Sequence, residues 1–496
     1  MSQKLKIPST QLPMVVLFLA ILVVFCLSPT LGLAESSSDF KSSSEPPEAI
    51  MAAQLFEEGQ LYASGAEGVP QDLTKALELY LKAAQEDYLP AIFELAIIYD
   101  TGLGEAVNKV EAARWYLKAA ELGDPIAQAN IGFLYSNGEG VPVDKSEAAS
   151  WYLKAAEHDL PSAQFNLGVL YEKGEGVGLD LSKAAKWYQR AAEGGYAPAQ
   201  FNLAVLYFNG QGVRMDKAKA AKFYKQAADS GDTLAQYSLA LMYAGGDGVV
   251  ENKTEAARLC QQAAEAGYAP AQNSLAKMYY MGDGVEIDKA EAVKWFEKAA
   301  LQGLTSAQFG LAALYESGDG VTADQALAAK WYREAANQGH IVAQANMGYL
   351  YQNGQGVRRD LAEAAKWFTL AAEQGDDNAQ VSLGGLYFNG QGVKRDLAQA
   401  ARWFQTAAEA GNAYAQFNLG NLYLSGEGVN RNSVQATQWF RKAADQGSSE
   451  AQFNLGLCYL KGEGVREDRT LALKWLNMSA SQQNANAIAL LKEIGD

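Results

Sequence analysis

Residues 163–171 read Ala163-Gln164-Phe165-Asn166-Leu167-Gly168-Val169-Leu170-Tyr171. A glycine turn, Gly174-Glu175-Gly176-Val177, follows, and a second segment runs from Asp180 to Gly195 through Ala184, Trp187, Tyr188, Ala191 and Ala192. With Ala163 taken as position one, Ala163, Leu167, Gly168 and Tyr171 (positions 1, 5, 6 and 9) share one side of a 3.6-residue helix. Gly174 stops that helix in the manner of a left-handed C-terminal cap. Asp180 opens a second helix, and its counterparts carry an acid three residues on (Asp144/Glu147, Asp288/Glu291, Asp360/Glu363), the pattern of a capping box. The apolar face of the second helix is Ala184, Trp187, Tyr188, Ala191 and Ala192, and Gly195 ends it. No segment alternates with period two, so the fold class predicted is all-α.

The unit recurs along the chain. All nine tryptophans, Trp115, Trp151, Trp187, Trp295, Trp331, Trp367, Trp403, Trp439 and Trp475, are separated by 36 residues or a multiple of 36, and Leu79, Phe223 and Leu259 fill the missing rungs. A tyrosine ladder runs from Tyr99 to Tyr459, and an alanine ladder from Ala91 to Ala451 and on to Ala487. The period predicts twelve helix–turn–helix repeats over 51–486, closed by a capping half-repeat over 487–496. Small residues such as Gly168, Ala191 and Ala192 let helix backbones approach, with tryptophan and tyrosine filling the space that remains. One hairpin cannot enclose a tryptophan of about 150–250 Å². Repeats must therefore stack, and the expected architecture is a right-handed α/α superhelical solenoid.

Residues 1–34 carry a different signal. Lys4 and Lys6 are the only charges before residue 35, Met14 to Leu27 is uninterruptedly apolar, and Gly32-Leu33-Ala34 supplies small residues for cleavage. This is the pattern of a secretory signal peptide, and the apolar run is short for a permanent span. The expected localisation is secreted or periplasmic, with no membrane span after cleavage. An uncleaved anchor, or the secretory-pathway lumen of a eukaryote, is the alternative. Residues 35–50, rich in serine with Pro46-Pro47, read as a flexible leader. The chain's net charge of −16, which loss of Lys4 and Lys6 would take to −18, repels phosphate backbones and argues against a nucleic-acid partner. Two histidines and three cysteines leave little material for metal or nucleophile chemistry, so no cofactor, metal or catalytic residue is expected. His158 and His340 lie about five repeats apart, and Cys260 and Cys458 read as buried small hydrophobes. The Gly-x-Gly-Val turns lack the preceding strand and the Gly-Lys-Ser/Thr of a phosphate loop. Asn252-Lys253-Thr254 matches a glycosylation pattern, with Asn252 instead placed to cap a helix.

The motif Ala-x-x-x-Leu-Gly-x-x-Tyr-x-x-Gly-x-Gly-Val, followed by Asp, Ala-Ala, Trp-Tyr, Ala-Ala and Gly, resembles the Sel-1-like repeat, a relative of the tetratricopeptide repeat. The likeness covers 51–486, and the 36-residue period with its Gly-x-Gly-Val turn separates it from the 34-residue tetratricopeptide unit. It implies a non-catalytic adaptor that holds another protein or an extended peptide. Exported members are associated with host interaction and envelope assembly, and a structural part of polysaccharide export or cell-wall machinery is the second implied role. A cysteine-rich branch with proposed penicillin binding staples each repeat with a disulfide. The cysteine pairs are missing here, so that branch's activity and cell-wall hydrolysis are not carried over.

The binding residues expected lie on the first helix of each unit, roughly opposite its Ala/Leu/Tyr stripe, at positions 3, 7 and 10. They are Phe201, Phe208, Lys277, Tyr280, Tyr349 and Phe388. By analogy with tetratricopeptide proteins this face lines a concave groove. Position 10 varies strongly (Phe208, Ala244, Tyr280, Glu316, Gln352, Phe388), as a recognition surface requires; the same rings could instead pack between repeats. Beside them, Asn130, Asn166, Asn202, Asn346 and Asn418 could hydrogen-bond a peptide backbone or serve as solvated helix surface.

Overall fold

The structure is a computed structural model, and it describes residues 47–65 and 68–495. The readings of 1–34 and of 35–46 fall outside the described residues, as do Ala66 and Glu67. The chain divides into two units, one ending at Ala91 and the other beginning at Ile92. In the first, the helix Pro47–Ser64 already takes in the last four residues of the expected leader, with Pro47 at the first helical turn where a missing N–H costs nothing. The helix Leu73–Gln85 follows. Phe56 sits 5.3 Å from Tyr80 and 5.6 Å from Tyr88, ring centre to ring centre.

The second unit repeats one hairpin, with helix A and helix B of 13 residues each, as in Pro161–Lys173 and Leu181–Glu193. No strand occurs among the described residues, and the all-α solenoid expected from the period is what is found. Gly174 caps helix A at φ 69°, the left-handed conformation that glycine adopts without penalty. The second glycine of the turn has a different task. A Cβ on Gly176 would overlap the backbone of Lys145, the first helix-B residue of the preceding repeat, so this glycine sets how closely repeats stack.

The capping box is only half formed. Asp144 Oδ1 accepts from the Glu147 backbone N–H at 3.0 Å, as expected. The reciprocal bond is absent because the Asp144 N–H donates to the Tyr135 carbonyl at 2.9 Å, and Asp288 and Asp360 do the same to Tyr279 and Tyr351. The tyrosine ladder thus holds the start of helix B through its main chain.

The core also differs from the expected one. The innermost side chain is the one after the tryptophan: Tyr188, Phe368 and Phe440 are fully buried, and after Trp475 Leu476 takes the place. A Cβ on Gly168 would come within 2.7 Å of the Tyr188 ring, and Gly348 and Gly420 face Phe368 and Phe440 in the same way. The small residue at position 6 therefore accommodates this plug and not the indole. Trp151, Trp295, Trp331 and Trp475 are buried, whereas Trp115, Trp187, Trp367, Trp403 and Trp439 are half-buried. Lysine ammonium groups cover several indole faces, as Lys154 does over Trp151 at 3.7 Å.

Candidate partner-binding face

The face of helix A at positions 3, 7 and 10 is shaped by the plug beneath it. The Tyr188 hydroxyl donates to Glu172 Oε2, at position 10 of its own repeat, and also bonds Asn202, at position 4 of the next. The Tyr332 hydroxyl donates to Glu316 Oε2 at 2.7 Å and bonds Asn346. Burial, and for these two the neighbouring carboxylate, pushes both phenols well above their usual range. The Tyr116 phenol is raised in the same way, by burial first and then by the charge of Asp100. Position 10 thus follows the plug: Asp100, Ser136, Glu172 and Glu316 accompany tyrosine plugs, while Tyr280, Phe388, Leu424 and Leu460 accompany Phe296, Phe404, Phe440 and Leu476. Phe208 opposite Tyr224 and Gln352 opposite Phe368 depart from this, and at the first the Tyr224 hydroxyl bonds Ser238 instead. Much of the variation at position 10, and several of the asparagines, therefore serve the polar tip of a buried tyrosine.

The six expected site residues are spread over separate repeats and do not converge. Phe201 is half-buried with its ring 5.6 Å from Tyr224, so its area is spent on packing. Phe208 is half-buried beneath Lys217, whose Nζ lies 5.0 Å from the ring centre. The Tyr280 hydroxyl donates to Asp319 Oδ2 of the next repeat at 2.9 Å, and Lys289 covers its ring. Tyr349 stacks edge-on against Phe368 at 4.9 Å, and its hydroxyl accepts from Ser382 Oγ. Phe388 is half-buried, with its carbonyl accepting from Arg395 Nε. Lys277 alone stands exposed with no ion-pair partner, and partial desolvation lowers its pKa from the ordinary lysine value.

Two further ladders hold the face rigid, and neither is part of the sequence reading above. At position 2 a buried glutamine recurs from Gln128 to Gln452. Its Nε2 donates to an alanine carbonyl in the last turn of the preceding helix B, as Gln164 does to Ala156 at 3.1 Å, satisfying an acceptor that a helix end leaves open. In five repeats its Oε1 accepts from a glutamine 30 residues on, as Gln344 does from Gln374 at 2.7 Å. Its signal in the sequence is a polar residue recurring at period 36 beside the alanine ladder. The second ladder pairs the first residue of helix B with the acid inside the next repeat's Gly-x-Gly, as in Lys217–Asp247 and Lys289–Asp319, each at 2.7 Å.

Cys260 and Cys458 are free and buried, and burial pushes the Cys260 thiol up to about 12. His340 caps a helix by accepting from the Ala343 N–H, and Asn252 caps another through the Glu255 N–H. Among the described residues no cluster of three or more His, Cys, Asp or Glu side chains could hold a metal ion. No described helix is long and apolar enough to cross a membrane.

Hairpins of this geometry, each joined to the next by a glycine turn, define an α/α repeat protein of the scaffold class. The Sel1 repeat model matches twelve successive segments, from 52–88 through 449–484, and the chain belongs to the Sel1 repeat family. It is similar to the crystal structure of a protective antigen from uropathogenic Escherichia coli described as displaying an SLR fold. That likeness has 38% identity and a TM-score of 0.73 over 83% of this chain and 89% of that one. It is also similar to a Sel1 repeat protein from Oxalobacter formigenes, with 32% identity and a TM-score of 0.50 over 66% of this chain and 93% of that one. A comparison with curated proteins returned no match.

Proposed function

We propose that this protein is an exported, non-catalytic scaffold that holds an extended segment of a partner protein against the helix-A face. The observation that carries this reading is the row at position 7. Ile97, Phe133, Val169 and Val205 are half-buried, Leu241 is 42% exposed, and Lys277 follows. The glutamine ladder holds the helices from that of Phe133 onward, and a Lys–acid pair adjoins those of Phe133, Val169, Leu241 and Lys277. A rigid row of partly exposed apolar groups binds by shape and repetition, with little ordering to be done on association. Catalysis is left out because the cysteines are buried with raised pKa and the two histidines stand on separate repeats. Export is supported by the pattern of residues 1–34, and the similar Escherichia coli protein is a protective antigen.

Two measurements test the reading. Peptides selected from a random displayed library against the full chain should lose most of their affinity for Leu241→Glu and keep it for Leu301→Glu, which alters an exposed leucine on helix B. Equal binding to both variants would place recognition elsewhere. Mass spectrometry of the protein recovered from its native cell should give Glu35 as the first residue. An intact Met1 on the recovered protein would remove cleavage from the reading.

A further inference from the structure

The turns that join helix A to helix B form a second surface. Between the two glycines of the turn most repeats place an acid, such as Asp283, Asp319, Glu427 or Glu463, whereas repeats nine and ten place Gln355 and Gln391. Just before the aspartate cap of helix B these two repeats carry paired bases, Arg358-Arg359 and Lys394-Arg395. No other repeat doubles a base there, in a chain with 57 acids to 41 bases. The two turns are stacked: a Cβ on Gly392 would lie 2.1 Å from the carbonyl oxygen of Leu361, two residues beyond Arg359. All four bases are exposed, and among the described residues none of them forms an ion pair. Two are fixed in place. Arg359 Nε donates to the Gln352 carbonyl at 3.0 Å and Arg395 Nε to the Phe388 carbonyl at 3.1 Å, which leaves the outer guanidinium nitrogens unanswered. Arg431 is held likewise by the Leu424 carbonyl, but its Nη2 reaches Glu463 of the next turn at 2.8 Å. The matching place beside Arg359 is Gln391, and beside Arg395 it is Glu427, which makes no ion pair. Asp360 and Asp396 are engaged as caps, each accepting two backbone N–H groups at the start of helix B.

Beside these bases the surface is concave. An open depression of about 760 Å³ is lined by Tyr387, Val393, Lys394, Arg395, Asp396 and Leu397. A similar depression in repeat twelve sets Glu467 and Asp468 beside Arg466, so charge and not shape singles out repeat ten. We propose that the stacked turns of repeats nine and ten bind an extended acidic segment of a partner protein, with carboxylates on Arg358–Arg359 and on Lys394–Arg395 and an apolar side chain in the depression. A guanidinium meets a carboxylate through two parallel hydrogen bonds, and one already fixed at Nε has less freedom to lose on binding. An extended chain covers about 3.3–3.6 Å per residue, so carboxylates three residues apart span about 10 Å, the separation of packed helices. Tyr387, Val393 and Leu397 favour a peptide over an acidic polysaccharide, which brings charge but no apolar side chain to seat. The site stands on the turns and does not rest on the helix-A reading above.

The test titrates the full chain by calorimetry at low salt with an acetylated and amidated peptide, Ser-Asp-Asp-Leu-Leu-Asp-Asp-Ser. Its comparisons are the same peptide with asparagine for every aspartate, the same peptide with serine for both leucines, and polygalacturonate. The acidic peptide is expected to bind about 10-fold more tightly than the asparagine peptide, and more tightly than the serine peptide. Arg358→Gln combined with Lys394→Gln should erase most of that difference at an unchanged melting temperature, because neither side chain bonds within the protein. Arg214→Gln, at an exposed base on the turn of repeat five, should keep it. Equal binding of the acidic and asparagine peptides, a difference that survives the double variant, or no binding up to millimolar concentration would overturn the proposal. Polygalacturonate bound more tightly than the acidic peptide would overturn it too, and would assign the turns to an acidic polysaccharide. None of these results alters the helix-A reading, which the Leu241→Glu comparison tests by itself.

Discussion

Gln380 shows what a single residue contributes here. Its Nε2 donates to the Ala372 carbonyl at 3.1 Å, but its Oε1 is buried without a partner. In the repeat before, Gln344 Oε1 accepts from Gln374; the equivalent place 30 residues after Gln380 is Ala410, which has nothing to donate. Gln128 and Gln200 are orphaned in the same way, with His158 and Ser230 in the donor's place. An unsatisfied buried acceptor costs about 1–3 kcal/mol, and a restored hydrogen bond returns about 0.5–1.5 kcal/mol. Ala410→Gln is therefore expected to stabilise its repeat by about 1 kcal/mol, read as a raised urea midpoint. The same change should be neutral in a Gln380→Leu background. A gain that persists without Gln380 would show that the clasp is not its source.

At the scale of the element, helix B is held by the plug more than by the indole before it. Tyr188→Ala is expected to cost about 3–5 kcal/mol, because it empties a fully buried site and leaves Glu172 and Asn202 without the hydroxyl. Trp187→Ala should cost less, since that ring is half-buried, with Arg190 over one face at 5.0 Å. The reverse order in denaturant melts would restore the tryptophans as the principal core. Helix limits, turn glycines and aspartate caps were legible in the sequence because each is decided within a few residues. Which of two adjacent aromatics points inward was not, since they lie only about 100° apart on a helix; the clue was the small residue at position 6. Position 10 was read as variable for recognition because its dependence on a residue 16 places later, Glu172 on Tyr188 or Glu316 on Tyr332, needs knowledge of which helices touch. Lys277 was visible as a candidate, but its lack of a counter-ion among the described residues is a fact of neighbouring repeats.

Across the second unit, from the helix Lys109–Glu121 to the helix Ala485–Gly495, successive helices pack on one another. Stability is then close to a sum of repeat terms and neighbour terms, and parts of the chain can open separately. Plug chemistry makes those parts unequal in alkali. Tyr116, Tyr152, Tyr188, Tyr224 and Tyr332 are plugs whose phenols are raised above the usual value, chiefly by burial. A tyrosine in the unfolded chain ionises near pH 10, whereas these keep their protons in the folded state. Their contribution is complete below about pH 10. It declines as pH rises further, because the unfolded state then binds fewer protons than the folded one. In repeats nine to twelve the plugs are Phe368, Phe404, Phe440 and Leu476, which have no proton to lose. Subtilisin digestion between pH 9 and 11 should therefore cut first within residues 109–229, with fragments covering 361–481 surviving longest. Near-neutral digestion should show no such bias, and Tyr188→Phe combined with Tyr224→Phe should delay the alkaline cuts. Uniform cleavage along the chain at pH 11 would mean that the repeats open as one body and that the plugs do not set local stability.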